Sequence, residues 1–469
     1  MTPSERNGFR RWMIYELNGK QKELLKIWDL KLVAKYSPGE TWKELFPAQP
    51  FKDEKLRQLS GKLLAKLETY LAVQQFRKEK IWVDMAFLTN LNGRNLPKLF
   101  EKEMKKIRNR LKKQGETDLT HFRWQYELEV LEQQHLLKYS GKIDHHREQA
   151  LINSFNTWVM IQKLELALMH LNVKQVLGDH LEDPLLIPFL DALTQGNKQA
   201  SLILYLFQQT YHLLTGKLGE GSKRALLELM TSEQAAKLDQ NILKNLFNLI
   251  TNHYIGILNR ELSASDQHLL FEWYRWGIQS QLIIVDKILP IRHFKNVMTA
   301  SLGIGKLKEA KQYLETLAPL LPEQDREDVR HYHLATLLFA EDKFSSAIRV
   351  ISSTKFRSLP YDLASRALDI KAQYENCDWE NIEEVEFLKA RVLSLDRFLK
   401  NRMEIPSVHR HSFGYFVKQM SRLLRSSSIS KLENMRANIY QDFSFYAHRW
   451  IVEKIDQKMT TLKQEQESG

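Results

Sequence analysis

Apolar residues recur at spacings of three and four along nearly the whole chain, the period of an amphipathic helix with one buried face. Residues 20–36 carry Leu24, Leu25, Ile27, Trp28, Leu32 and Val33 in that rhythm, and Ser37-Pro38-Gly39 stops it. From Asp53, a candidate cap, Leu56, Leu59, Leu63, Leu67, Tyr70 and Leu71 form one stripe. The same period predicts helices over 81–91, 97–113, 121–139, 145–171, 183–193, 198–214, 240–258, 361–374, 405–424, 430–440 and 443–459, and Ser265 caps one that carries Phe271, Trp273, Tyr274 and Trp276. These four aromatics are expected to pack between layers. Short breaks at Gly141, Gly178-Asp179, Gly196-Asn197 and 216–221 separate the helices, and no run of alternating Val, Ile and Thr competes. The pattern predicts an all-α chain.

Residues 294–347 hold the clearest internal order. Phe294, Val297, Met298, Gly305, Ala310, Leu314, Leu317 and Pro322 fall where a tetratricopeptide (TPR) unit places its bulky, small, turn and terminal proline positions. Leu334, Ala335, Asp342, Phe344, Ala347 and Ile351 repeat the set, with Pro360 beyond them. Ala310 and Ala347 lie 37 residues apart, near the period of about 34 for such units. A small side chain is needed there because paired helices approach closely, and Gly305 suits a turn with positive φ. Asp also visits that conformation, so Asp342 can replace it. The expected architecture is a TPR-like α-solenoid of antiparallel helical hairpins with a basic N-terminal helical section.

The chain divides accordingly into a basic section over 1–115, a middle hairpin array over 116–290, TPR-like repeats over 291–376, closing helices over 377–459 and a frayed tail over 460–469. Charge sharpens the first boundary. Residues 1–115 hold 26 Lys and Arg against 13 Asp and Glu, whereas the remaining residues hold 43 against 44, although the whole chain is +12. Any electrostatic partner is expected to meet the N-terminal quarter first. Its short helix, turn and long helix allow a helix-turn-helix reader of nucleic acid, with Lys55, Arg57, Lys62 and Lys66 on phosphates. The stretch resembles the N-terminal module of bacterial winged-helix activators in Leu45-Phe46-Pro47, Leu56-Arg57-x-Leu59-Ser60, Leu63 and Leu67. After Phe76 it departs from them, because a helical pattern replaces the strand-turn-strand wing. The run from Lys98 to Lys113 is the densest in cations and is expected to be a solvated helix face, since no aromatic residues are interleaved for base stacking.

Leu45-Phe46-Pro47 with Lys55-Leu56-Arg57-x-Leu59, Phe294-Lys295-Asn296-Val297, Leu334-Ala335 with Asp342-Lys343-Phe344-x-x-Ala347, Tyr361-Asp362-Leu363-x-x-Arg366-Ala367-Leu368 and Trp450-Ile451-x-Glu453-Lys454-Ile455 together resemble a family of bacterial all-helical proteins with TPR-like repeats. The resemblance covers nearly the full length. It implies a fold and carries over no catalytic residue, cofactor or partner.

Chemistry-bearing motifs fall short of their templates. In 216–223, G-K-L-G-E-G-S-K, Ser222 and Lys223 stand in the reverse of the phosphate-loop order, and Gly303-x-Gly305 lacks a third glycine. The histidines of 145–146, 331–333 and 409–411 are one or two apart, which points them away from a common metal on a helix. Cys377 is the lone cysteine, so no disulfide forms within the chain and a reducing, cytoplasmic setting is expected. Glu182-Asp183 beside Pro184 reads as a helix start. The N-terminal residues lack the apolar core of a signal peptide, and no apolar run is long enough to span a bilayer. The expected function is a non-enzymatic protein-interaction scaffold without metal or cofactor. Its partner-binding face is expected around Asn296, Ser301, His331 and Leu338, on the first helices of the repeats.

Overall fold

The computed structural model describes residues 1–17, 22–33, 37–139, 144–177, 185, 188, 201–259, 263–439 and 446–468. Every regular element among them is helical, apart from one isolated bridge between Val285 and Ile288. The helix expected over 183–193, the breaks at Gly141, Gly178-Asp179 and Gly196-Asn197, and the pair Glu182-Asp183 lie outside the described residues. Two compact units are present, one of residues 1–115 and 119–158 and the other of residues 116–118 and 159–469.

The first unit begins with α1 (Pro3–Leu17), α2 (Lys22–Val33), α3 (Pro38–Leu45) and α4 (Asp53–Lys78). Ser37 caps α3 through a reciprocal pair of bonds with Glu40, which satisfies two backbone donors at the helix start. Phe9, Met13, Trp28, Trp42, Leu56, Leu63 and Tyr70 bury one core among these four helices. A second core joins α5 (Lys80–Gly93), α6 (Pro97–Gln114) and α7 (Leu119–Tyr139) through Leu88, Phe100, Met104, Ile107, Trp124 and Leu128. Residues 80–93 are therefore helix where a wing would stand. Gly115 ends α6 at φ +71°, a conformation glycine adopts without steric cost. Beyond Gly115, α7 packs back onto α5 and α6, and the compact unit runs on to Trp158. The long α8 (His145–Leu177) supplies residues to both units.

The second unit continues with α9 (Leu202–Leu214), α10 (Glu220–Met230), α11 (Gln240–Leu258) and α12 (Ala264–Gln279). Then follow α13 (Ile291–Gly303), α14 (Leu307–Leu317), α15 (Arg326–Ala340), α16 (Phe344–Ser353) and α17 (Leu359–Asn376). The chain closes with α18 (Ile382–Asn401), α19 (Ser407–Arg425), α20 (Ile429–Ile439) and α21 (His448–Ser468). Of the tail expected to fray over 460–469, residues 460–468 belong to the last helix.

Two turns explain the local order of 291–353. Gly305 joins α13 to α14 at φ +71° and Asp342 joins α15 to α16 at φ +56°, both left-handed as their residue types allow. Ala310 and Ala347 are fully buried just after these turns, where the paired helices meet. First helices also touch, α13 on α15 and α15 on α17. Gly277 serves a similar purpose between α11 and α12, since a Cβ there would lie 2.7 Å from the buried Phe247 ring. The C-terminal helix returns across this unit: Arg449 donates a 2.8 Å hydrogen bond to the carbonyl of Leu258 at the end of α11.

Candidate functional site

The sequence-derived protein-binding residues do not form an open face. Ser301 is wholly buried and its hydroxyl donates to the Val297 carbonyl at 2.7 Å, so it is withdrawn from any partner surface. Asn296 is half-buried and donates to the Tyr274 hydroxyl at 2.8 Å, tying α13 to α12. His331 lies 3.7 Å from Glu327 on its own helix, and Leu338 is half-buried.

The four cations proposed for phosphates are also divided. Helical geometry puts Lys55, Lys62 and Lys66 on one flank of the buried Leu56–Leu63–Tyr70 stripe and Arg57 on the other. Lys55 sits over the Phe46 ring at 4.5 Å, Lys66 pairs with Glu16 at 3.2 Å and Arg57 pairs with Asp53 at 2.6 Å. The four therefore stand on two flanks of α4 and not in one row.

A concavity lies elsewhere, between α10 and α12. At one end the two helices are pinned together: Lys223 reaches Glu220 at 2.5 Å and Asp266 at 3.0 Å, while the Ser265 hydroxyl donates to Glu220 at 3.0 Å. Burial pushes the Lys223 ammonium down, but these bonds outweigh it and hold it above the ordinary lysine range. The lysine that came nearest a phosphate-loop position is thus committed to Asp266. Past the pins the helices leave a groove of about 970 Å³, with α11 behind it. Arg224, Leu227, Glu228 and Thr231 line one wall, and His268, Glu272, Arg275 and Gln279 line the other. These follow the three-and-four rhythm of two solvent-facing helix rows. Leu243, Leu269 and Trp276 supply an apolar floor, each nearly buried. Glu272, Arg275 and Gln279 also border a second hollow of about 400 Å³ against α14, which contributes Lys306, Glu309 and Tyr313. The concavity therefore continues along both sides of α12.

Its charges balance within the walls: Arg224 lies 3.6 Å from Glu228, and Arg275 pairs with Glu272. Such a surface suits an apolar stripe flanked by both signs of charge. Three of the aromatics on α12, Phe271, Trp273 and Tyr274, do pack inward, and Trp276 meets the groove. Sequence reasoning passed over the groove because its walls come from helices more than forty residues apart, with no shared motif.

The other reactive candidates are structurally engaged. Burial and the nearby Glu384 and Asp378 carboxylates push the Cys377 thiol up, away from the reactive thiolate. His333 is buried against Phe294, Tyr332 and Tyr361. Among the described residues, no group of three or more His, Cys, Asp or Glu is placed to hold a metal ion, and no helix is long and apolar enough to cross a membrane. No family model, curated protein or solved structure matches the chain.

Proposed function

We propose that the protein is a non-enzymatic interaction scaffold, a TPR-like α-solenoid of helical hairpins that receives an amphipathic helical segment of another protein between α10 and α12. The observation that carries this reading is the groove itself: two parallel polar rows, an apolar floor and an outlet toward α14. Support for the repeat architecture comes from the left-handed Gly305 and Asp342 turns, the buried Ala310 and Ala347 and the contacts between successive first helices. The partner's apolar stripe would cover Leu227, Leu269 and Trp276 while its flanking charges meet Arg224, Glu228, Glu272 and Arg275. A cytoplasmic setting fits the single cysteine.

Selection of displayed helical peptides against the full chain tests the reading. Selected peptides are expected to protect α10 and α12 from hydrogen exchange and to lose at least about tenfold in affinity on Leu227→Lys, the cost of placing a charge in an apolar contact. Peptides that bind with equal affinity to the variant, or that protect helices away from the groove, would refute it.

A further inference from the structure

The dense cationic run of α6 is split by its own tertiary structure. Arg108 reaches inward to Glu129 at 3.0 Å and Glu132 at 2.7 Å on α7, and Arg110 pairs with Asp84 on α5. Phe100, Met104, Ile107 and Leu111 are sealed in the core with α5 and α7. The remaining cations, Lys98, Lys102, Lys105, Lys106, Lys112 and Lys113, are all exposed. At 100° per residue they fall within an arc directly opposite that buried stripe, with Asn109 in their midst. Only Lys106 has an acidic partner among the described residues, Glu103 at 3.0 Å, and Glu101 leans toward His135 at 3.7 Å.

The helix dipole favours Lys112 and Lys113 in the last turn, but the rest of the ridge costs the helix. Like charges four apart, such as Lys98 with Lys102 and Lys102 with Lys106, repel. Lys98 also stands in the first turn, which contains no acidic residue and where the helix dipole disfavours a cation. An anion from outside would relieve the repulsion along the ridge.

We propose that the lysine ridge of α6 binds the phosphate backbone of double-stranded nucleic acid without reading its sequence. From Lys98 to Lys113 the ridge rises about 22 Å, and a duplex strand presents a phosphate about every 3.4 Å of its axis. A linear polyanion thus meets several lysines at once. Lysine offers point charges to phosphate, and Asn109 is the single amide among six lysines on the ridge, so the contact is chiefly one that positions without specifying. A membrane surface fits less well because the apolar stripe of α6 is sealed against α5 and α7, which leaves Leu99 as the one exposed apolar side chain on the helix. A single strand fits less well because no aromatic side chain lies among the lysines for stacking. This site is separate from the groove of the second unit and stands or falls independently of it.

The test measures anisotropy of a labelled DNA duplex with the full chain across a salt series. Its ridge variant combines Lys98→Gln, Lys102→Gln, Lys105→Gln, Lys112→Gln and Lys113→Gln. A charge-matched control combines Lys217→Gln, Lys237→Gln, Lys295→Gln, Lys311→Gln and Lys418→Gln in the second unit. With about five phosphates engaged, log affinity should fall against log salt with a slope of about −4.5. The ridge variant should lose at least about tenfold at low salt and most of that slope, with its far-UV circular dichroism unchanged, while the control keeps both. Two duplexes of unrelated sequence should bind alike. Absence of salt-dependent binding, equal loss in the control, or ridge-dependent binding to phosphatidylserine vesicles but not to duplex would overturn the proposal.

Discussion

His333→Phe should make the second unit markedly less sensitive to acid. His333 lies on α15 and is 3% exposed, with neither ring nitrogen hydrogen-bonded among the described residues. Its ring meets Phe294 and Tyr332 at 5.2 Å and Tyr361 at 6.4 Å between centroids. Burial, helped by the Lys295 charge, pushes it down to about 3 from its ordinary value of 6.5. Between those values the unfolded chain holds a proton that the folded chain refuses, so stability rises with pH through the window and levels off above about 6.5. Each pH unit within it corresponds to about 1.4 kcal/mol. From pH 7 down to pH 5 about 1.5 units operate, which is about 2 kcal/mol lost from the wild type and absent from the variant. Phenylalanine fills a similar volume and leaves no buried nitrogen unsatisfied, so at pH 7 the variant should be at least as stable. Urea unfolding at both pH values, followed by pulsed hydrogen exchange of peptides from α13 and α15, reads the difference. Parallel stability losses in the two proteins would refute the assignment of acid sensitivity to this ring.

Gly277→Ala should destabilise by about 1–3 kcal/mol, since the new methyl would press on the Phe247 ring from 2.7 Å and force α11 from α12; thermal melting measures it. Gly305→Ala and Asp342→Ala should each cost about 1 kcal/mol by placing an alanine in left-handed backbone, whereas Asp342→Gly should leave the urea midpoint nearly unchanged. Asp328→Ala removes an acceptor that the backbone N–H groups of Arg357 and Ser358 approach at 2.8 and 2.6 Å, with an expected loss of about 1–3 kcal/mol and faster exchange at the start of α17.

Much of the helical order was legible because periodicity and turn chemistry act locally. Gly305 and Asp342 announced two left-handed turns, and the alanines five residues later marked the tight contacts that follow them. The same period could have corrected the partner face. Phe294, Val297, Met298 and Ser301 share one stripe, so the rhythm that sends the first three inward sends Ser301 with them. His333 likewise falls in step with Val329 and Leu337 on the buried side of α15. The groove was not legible, because its shape depends on where α10 and α12 stand, and the pins Lys223 and Asp266 are 43 residues apart. In α6 the helical period already sets Arg108 and Arg110 beside the buried stripe and the lysines opposite it, but the acceptors Glu129, Glu132 and Asp84 come from other helices and were not legible.

The Arg449–Leu258 hydrogen bond spans 191 positions along the chain. Helix pairs such as α13 with α14 close after a three-residue turn, whereas this contact must first gather an entire intervening segment, and the entropy of that closure grows with its length. Order of assembly follows. Neighbouring hairpins can form as they leave the ribosome, but the bond to α11 waits until α21 has been made. Until then the end of α11 lacks its Arg449 contact, and a chain stalled short of α21 would carry its earlier hairpins without this long-range bond.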